Sequence, residues 1–500
     1  MRHHRYRQAG LGLLAAAGTS FLGLTSITQC AFAFGDDTAL VMGPDGVPIP
    51  PQSYVDAADL YIQQADPGAS PQALDAPVLG YPASGVNSPT AEESIPQGVA
   101  VLNTAIEQQL ADSNHVDVFT YSLSTTMASM EMEELQAEGV SSSDVSFVMI
   151  GDLSDPDGGF LERFDIPYPL GGTPSYPSFG FAFSGATPSD LYPTDIYTHE
   201  YDGYADFPTY PANILSDLNA LLGLFYDHET YLSLTSQQIQ DAIALPTAGD
   251  TMTNYYMIPA DSLPLLEPLQ LIPVVGQPLY DLLAPDMTVL VNLGYGNIGG
   301  ISDGVITGGW DPGPANEPTT FELFPTNLDW GDVLTALENG AQQGITTALS
   351  DLKNPATYQI TPLQDSPSLS GLLDLGQILG YYPTDQPTLL QLIDEFSTEG
   401  NAGTPIEATN LIDAFTGALS ADIGALKPLV DTALTLAITI PEYDANAFVD
   451  GLESGNLLNA IGDPIAADIG QIPFIIGFDA LLPLLEAPAI DISEFASLLS

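Results

Sequence analysis

The sequence predicts an α/β protein: a mostly parallel sheet with helices on both faces, plus a mainly helical C-terminal region. Two observations predict it. From Thr38 to about Gly300, short apolar runs alternate with amphipathic ones, and strands alternating with helices imply parallel strands joined by helical crossovers. Beyond residue 321 the strand-like runs stop, and helical periodicity recurs between Pro and Gly breaks.

Taken in order, "TALVMG" (38 to 43) is short, apolar and turn-bounded, as a buried strand should be. "GVAVLNTAIEQQLADS" (98 to 113) spaces its apolar residues three and four apart and predicts a helix. "VDVFTYS" (116 to 122) predicts a strand and "TTMASMEMEELQAE" (125 to 138) a helix. "SDVSFVMIG" (143 to 151) and "TDIYTHEY" (194 to 201) follow as strands, "ANILSDLNALLGLFY" (212 to 226) as a helix, and "MTVLVNLGYG" (287 to 296) as a last strand. "GGWDPGPANEPTT" (308 to 320) has the Gly and Pro density of a linker. Segments such as "TLLQLIDEF" then place residues 321 to 500 in a helical region that packs on or beside the first domain. The chain between these landmarks, "LPLLEPLQLIPVVGQPLYDLLAP" (263 to 285), is apolar but carries five prolines. It cannot be a membrane helix, and is expected to form part of a lid or wall over the site.

Charge is the unusual bulk property, with 64 acidic residues against 6 basic ones. Three of the six, Arg2, Arg5 and Arg7, precede an apolar run from Ala9 to Ile27 and the small-residue site Ala31-Phe32-Ala33. That order is the pattern of a secretory signal peptide over residues 1 to 33, with an uncleaved membrane anchor as the alternative. Export to the exterior or the cell envelope is the expectation, with peripheral or N-terminal membrane association. The rest keeps only Arg163, Lys353 and Lys427 as bases, so its surface repels phosphate backbones, and nucleic acid is excluded as a partner. Cys30 lies before the cleavage site, so the mature chain has no disulfide. No protein partner and no cofactor are expected. "GDLSDPDGG" (151 to 159) groups Asp152, Asp155 and Asp157, which hints at a calcium loop, but without EF-hand spacing a solvated acidic turn is the better reading.

The chemistry centres on Ser122, between an apolar strand and a helix. A nucleophilic serine on such a turn needs small residues two before and two after it, because strand and helix backbones come close there. Those positions are Thr120 and Ser124. From this pentapeptide alone, Ser122 or Ser124 could equally cap the helix. A triad would need an acid and a histidine further along. His115 precedes the serine, His199 lies inside a strand, and His228 in "FYDHETYL" stands at a loop-like position. "EYDGYADFPTYP" offers Asp202 and Asp206 between them, either of which could hold the imidazole.

"TALVMGPDGVPIPPQSYV", "VDVFTYSLSTTMASMEM", "DIYTHEYDGYADFPTYPANILSDLNALLG", "HETYL" and "VLVNLGYG" together resemble the mycobacterial PE-PPE domain, from about Thr38 to Gly296. The resemblance implies a cutinase- and lipase-like serine α/β-hydrolase fold over residues 34 to 307. It also implies esterase activity, or acyl transfer onto trehalose-type glycolipids, with a fatty acyl ester or glycolipid as substrate. It matches Ser122 to the nucleophile, His228 to the base and Asp206 to the acid, with Asp202 in reserve. Oxyanion donors would be the backbone N–H of Leu123 and one from the loop Gly43-Pro44-Asp45-Gly46, where Pro44 has none to give. Asp45 is taken as that donor. Thr120 and this loop depart from the family pattern, which motivates the rival expectation of a catalytically silent envelope protein that keeps the fold.

Overall fold

The structure is a computed structural model that describes residues 37 to 354 and 426 to 477, apart from residues 86, 113, 177 to 179, 273 and 303 to 304. The expected signal segment, 1 to 33, and the helix expected in "TLLQLIDEF" lie outside the described residues.

In chain order the first elements are β1 (Thr38–Val41), α1 (Gln52–Ala65), β2 (Ser70–Ala73), α2 (Ala91–Ala111) and β3 (Val116–Tyr121). They continue as α3 (Leu123–Glu138), β4 (Val145–Ile150), α4 (Phe160–Arg163) and a small hairpin of β5 (Ser175–Tyr176) and β6 (Phe181–Ala182). Next come β7 (Thr194–His199), α5 (Ile214–Tyr226), α6 (Ser236–Gln240), β8 (Ile243–Ala244) and β9 (Thr253–Ile258). α7 (Glu267–Gln270), α8 (Gly276–Asn292), β10 (Gly300–Ser302) and β11 (Val305–Thr307) lead to α9 (Trp330–Asp351). The second described stretch holds α10 (Leu426–Leu434), α11 (Ile440–Glu453) and α12 (Leu457–Phe474).

The seven-stranded sheet runs β2-β1-β3-β4-β7-β9-β8, parallel throughout except for β8 against β9. Side chains alternate between its faces, as a strand period of two requires. Leu40, Val118, Phe147 and Met149 join one core with Leu102, Met127 and Met132 of α2 and α3. Val41, Phe119, Val148 and Ile150 join the other with Val55, Ala58 and Ile62 of α1. Both faces are therefore covered, which is what a parallel sheet needs. The chain leaves β1 toward β2 and later returns to its other side as β3, so the switch point of the sheet lies between β1 and β3.

Two expectations are corrected. "MTVLVNLGYG" is the end of α8 and the turn after it, not a strand. Its β-branched run reads as a strand alone, but the helix begins eleven residues earlier at Gly276 and carries through Pro285, burying Thr288, Val289 and Val291. The last full strand is instead β9, whose alternation in "TNYYMI" went unread. Nor does 308 to 320 behave as a linker. Gly309 N–H donates to Glu200 (2.8 Å), Ala315 N–H to Pro246 (2.8 Å), and Thr319 accepts from Arg163, so the stretch is strapped to the sheet domain. Among the described residues, no helix is long and apolar enough to cross a membrane.

Candidate active site

Ser122 leaves β3 at φ 57° and ψ −127°, one of three non-glycine residues with positive φ among the described residues. Such a conformation costs about 1–3 kcal/mol and persists only when its surroundings impose it. Here Ser122 N–H donates to Ile150 O (3.2 Å) and Thr125 Oγ1 donates to Ser122 O (2.6 Å). Ser124 Oγ bonds both the N–H and the C=O of Tyr121 at 3.0 Å, closing the turn from the helix side. Thr120 and Ser124 are both fully buried, so the turn takes a threonine where it asks for a small residue. Ser122 holds the N-cap position of α3, yet its side chain makes no capping bond. Neither serine caps the helix: Ser122 Oγ pairs with His228 and Ser124 Oγ with the Tyr121 backbone.

His228 opens a 3₁₀ turn (His228–Ser233) directly after α5. Its Nε2 lies 2.9 Å from Ser122 Oγ and its Nδ1 2.7 Å from Asp202 Oδ2. A carboxylate on Nδ1 assigns the ring proton there and leaves Nε2 to accept from the serine hydroxyl. Ser122, His228 and Asp202 are 8%, 2% and 0% exposed, so this chain of hydrogen bonds is screened from bulk water. Burial acts to lower the His228 pKa, but the charges of Asp202 and Glu229 outweigh it and leave the imidazole above its ordinary 6.5.

Asp206, expected as the acid, is not part of this chain. Its Oδ2 accepts the Tyr201 N–H (2.8 Å), and burial pushes its carboxyl well above the usual range. The turn after β7 is the reason. Asp202 N–H bonds back to His199 O, and the N–H groups of Ala205 and Asp206 bond to Asp202 O. Asp202 thus faces the imidazole, and Asp206 folds back onto the backbone at Tyr201.

Tyr231, which the sequence does not single out, completes the support together with the backbone of Tyr204. Tyr231 donates to Asp202 Oδ2 (2.9 Å) and accepts from His199 N–H (2.7 Å), while Tyr204 N–H bonds Asp202 Oδ1 (2.9 Å). Tyr231 follows His228 by three, and in a 3₁₀ turn residues i and i+3 eclipse, a spacing visible in "HETYL". Gly151, at φ 58°, is the floor beneath the imidazole: a Cβ there would lie 2.9 Å from His228 Cε1.

In the loop after β1, Gly46 N–H is committed to Val78 O (2.9 Å). Asp45 lines the same pocket as Leu123, whose N–H lies in the first turn of α3, where backbone donors have no helical partner. The Asp45 side chain accepts from Ser84 Oγ, and burial pushes its carboxyl up to about 7 against the hydrogen bonds of Ser84, Gly80 and Gly46.

An apolar pocket opens over Ser122 and Leu123, and Asp45 is the one ionisable carboxyl among its lining residues. None of residues 263 to 285 lines it, so the expected lid from that stretch is replaced; α8 packs against α5 and α9 instead. His115 sits at the far end of β3 near Ser143 and Ser146, and His199 beside Asp227, both apart from Ser122. Asp152 and Asp155 are buried, not solvated, and accept from Thr187 and Thr198 hydroxyls. Among the described residues no acid or histidine cluster is suited to a metal ion.

Fold and site together define a class: a doubly wound hydrolase-like sheet with a Ser-His-Asp chain at its switch point. The chain belongs to the PE-PPE domain family, whose model matches residues 67 to 296. It is 35% identical over 488 residues to the PPE family protein PPE28 of Mycobacterium tuberculosis (strain ATCC 25618 / H37Rv), covering 95% of this chain and 68% of that one. Esterase PE16 of the same organism is 37% identical over 362 residues, 69% of this chain and 62% of its own length. A solved acetyl xylan esterase aligns with a TM-score of 0.21 at 17% identity, over 25% of this chain and 67% of that one.

Proposed function

We propose that the protein is a serine esterase acting on fatty acyl esters, with Ser122 as nucleophile, His228 as base and Asp202 as the acid that orients it. The observation that carries this reading is the unbroken chain from Ser122 Oγ through His228 to Asp202, at 2.9 and 2.7 Å. Its family membership and the printed name of its relative Esterase PE16 support it.

Ser122 Oγ attacks the ester carbonyl as His228 Nε2 takes its proton. The imidazolium is stabilised by Asp202, and the oxyanion faces the N–H groups of Leu123 and Asp45. The leaving alcohol takes the proton from His228, and an acyl-enzyme remains. Water then repeats the steps to release the acid, or a sugar hydroxyl of the trehalose type accepts the acyl group.

The test is labelling of the full chain by a fluorophosphonate, beside a Ser122→Ala variant of equal thermal stability. Labelling and ester hydrolysis that vanish together in the variant are expected. A folded wild-type chain that neither labels nor hydrolyses any acyl ester would favour the silent envelope protein instead. Product analysis with trehalose present separates hydrolysis from transfer.

A further inference from the structure

Part of the pocket wall comes from a stretch of the chain that the family match does not reach. Phe474 and Ile475, 7% and 2% exposed, line it from the end of α12, whereas the matched stretch ends at residue 296. We propose that these two residues form the acyl-binding wall of the esterase site and set which acyl chains it accepts; the inference rests on the reading above.

The placement of Phe474 is over-determined. Its ring stacks on Phe160 at 4.0 Å and 18° and meets Tyr204 edge-on at 5.5 Å. Tyr204 in turn stands edge-on to His228 at 4.7 Å, so Phe474 is one ring removed from the base. One turn back, Gly470 lets α12 approach closely, since a Cβ there would lie 2.9 Å from Phe164 Cζ and 3.0 Å from Pro211. Gln471 fixes the helix rotation by accepting from the Tyr176 hydroxyl (2.6 Å), buried at both ends. Another lining residue, Tyr81, is tied to the same C-terminal region. Tyr81 donates to Asp431 of α10 (2.7 Å), and Lys427 Nζ lies 3.1 Å from the centre of its ring.

The chemistry of the lining selects the occupant. Away from Ser122 and Asp45 it consists of aromatic and aliphatic side chains, with Leu153, Leu161 and Phe181 among them. A sugar or a charged headgroup would lose its hydrogen bonds to water there without replacement, whereas a hydrocarbon chain gains by burial. The acyl half of the ester therefore enters this pocket, and the alcohol half stays toward the mouth. Phe474 and Ile475 are part of this apolar lining, so their size sets how much acyl chain it takes.

A series of p-nitrophenyl esters from acetyl to palmitoyl, given to the full chain and to Phe474→Ala and Phe474→Leu, tests this. The expected result is a rise of at least about tenfold in the long-to-short ratio of kcat/KM for Phe474→Ala, with Phe474→Leu between it and wild type. Labelling of Ser122 by a small organophosphate should go to completion in both, showing that the nucleophile is intact. An unchanged ratio in variants that label normally overturns the proposal while leaving the esterase reading intact. Failure of the wild-type chain to label or hydrolyse anything sinks both together, and is distinguished by that. Should Phe474→Ala lose its thermal transition, Phe474→Leu and Ile475→Val decide the matter alone, and an unshifted ratio in both overturns it.

Discussion

Replacing Asp202 by asparagine should cost far more activity than replacing Asp206. At 2.7 Å from His228 Nδ1, a carboxylate stabilises an imidazolium by about 6 kcal/mol at an effective dielectric of about 20. That stabilisation arises only once the serine proton has moved, so its loss falls on kcat, at about 10⁴-fold. An amide at this position can also present its NH₂ to Nδ1, which favours the wrong tautomer. Asp206→Asn removes no partner of His228 and keeps an oxygen for the Tyr201 N–H, so its kcat should stay within about tenfold of wild type. The assay is steady-state hydrolysis of a chromogenic acyl ester by both variants, with circular dichroism and thermal melts to confirm equal folding. A folded Asp206→Asn that loses as much as Asp202→Asn, or a folded Asp202→Asn that keeps more than a tenth of wild-type kcat, would refute the geometric assignment.

Gly151→Ala forces a methyl against His228 Cε1 at 2.9 Å on a backbone at φ 58°; it should lower kcat by about 10²-fold or more, measured by the same assay. Since His228 must be neutral to accept the serine proton and its pKa is raised by Asp202 and Glu229 over the lowering effect of burial, kcat/KM should climb with pH along a limb centred above about 6.5. Burial pushes the Asp45 carboxyl up to about 7, so its charge should oppose the oxyanion as pH rises through that value; Asp45→Asn should raise kcat/KM above it by up to about tenfold. For stability, Glu200 is fully buried and raised to about 7 from 4.5, which makes the folded state hold a proton the unfolded chain releases. Its contribution is present below about 4.5 and lost as pH rises through about 7, on the order of 3 kcal/mol, so the Tm should fall between pH 5 and pH 8 in a melt series.

Much of the sheet was legible because β1, β3, β4 and β7 are apolar runs bounded by turns, buried on both faces. β2 carried no such signal, since "SPQA" is largely exposed and pairs only with β1. The tail of α8 looks like a strand because its β-branched run, taken without the helix that precedes it, has strand composition. In the site, chain order and the scarcity of histidine made Ser122 and His228 candidates, and the resemblance to the PE-PPE domain singled them out. The acid was not settled that way, because Asp202 and Asp206 leave the same strand and only the hydrogen-bonded turn between them decides which one meets the imidazole. Phe474 left no local trace at all. It resembles any apolar helix residue, and its role exists only once α12 lies against Phe160 and Tyr204.

The distance in sequence between Ser122 and Phe474 bears on how the protein is made. Every group of the hydrogen-bonded relay lies before Leu234, whereas the wall above it is translated near the far end of the chain. Closing so long a loop is entropically slow compared with pairing neighbouring strands. On the esterase reading, the groups that would carry catalysis and the wall that would carry selectivity are therefore fixed by segments far apart in the chain.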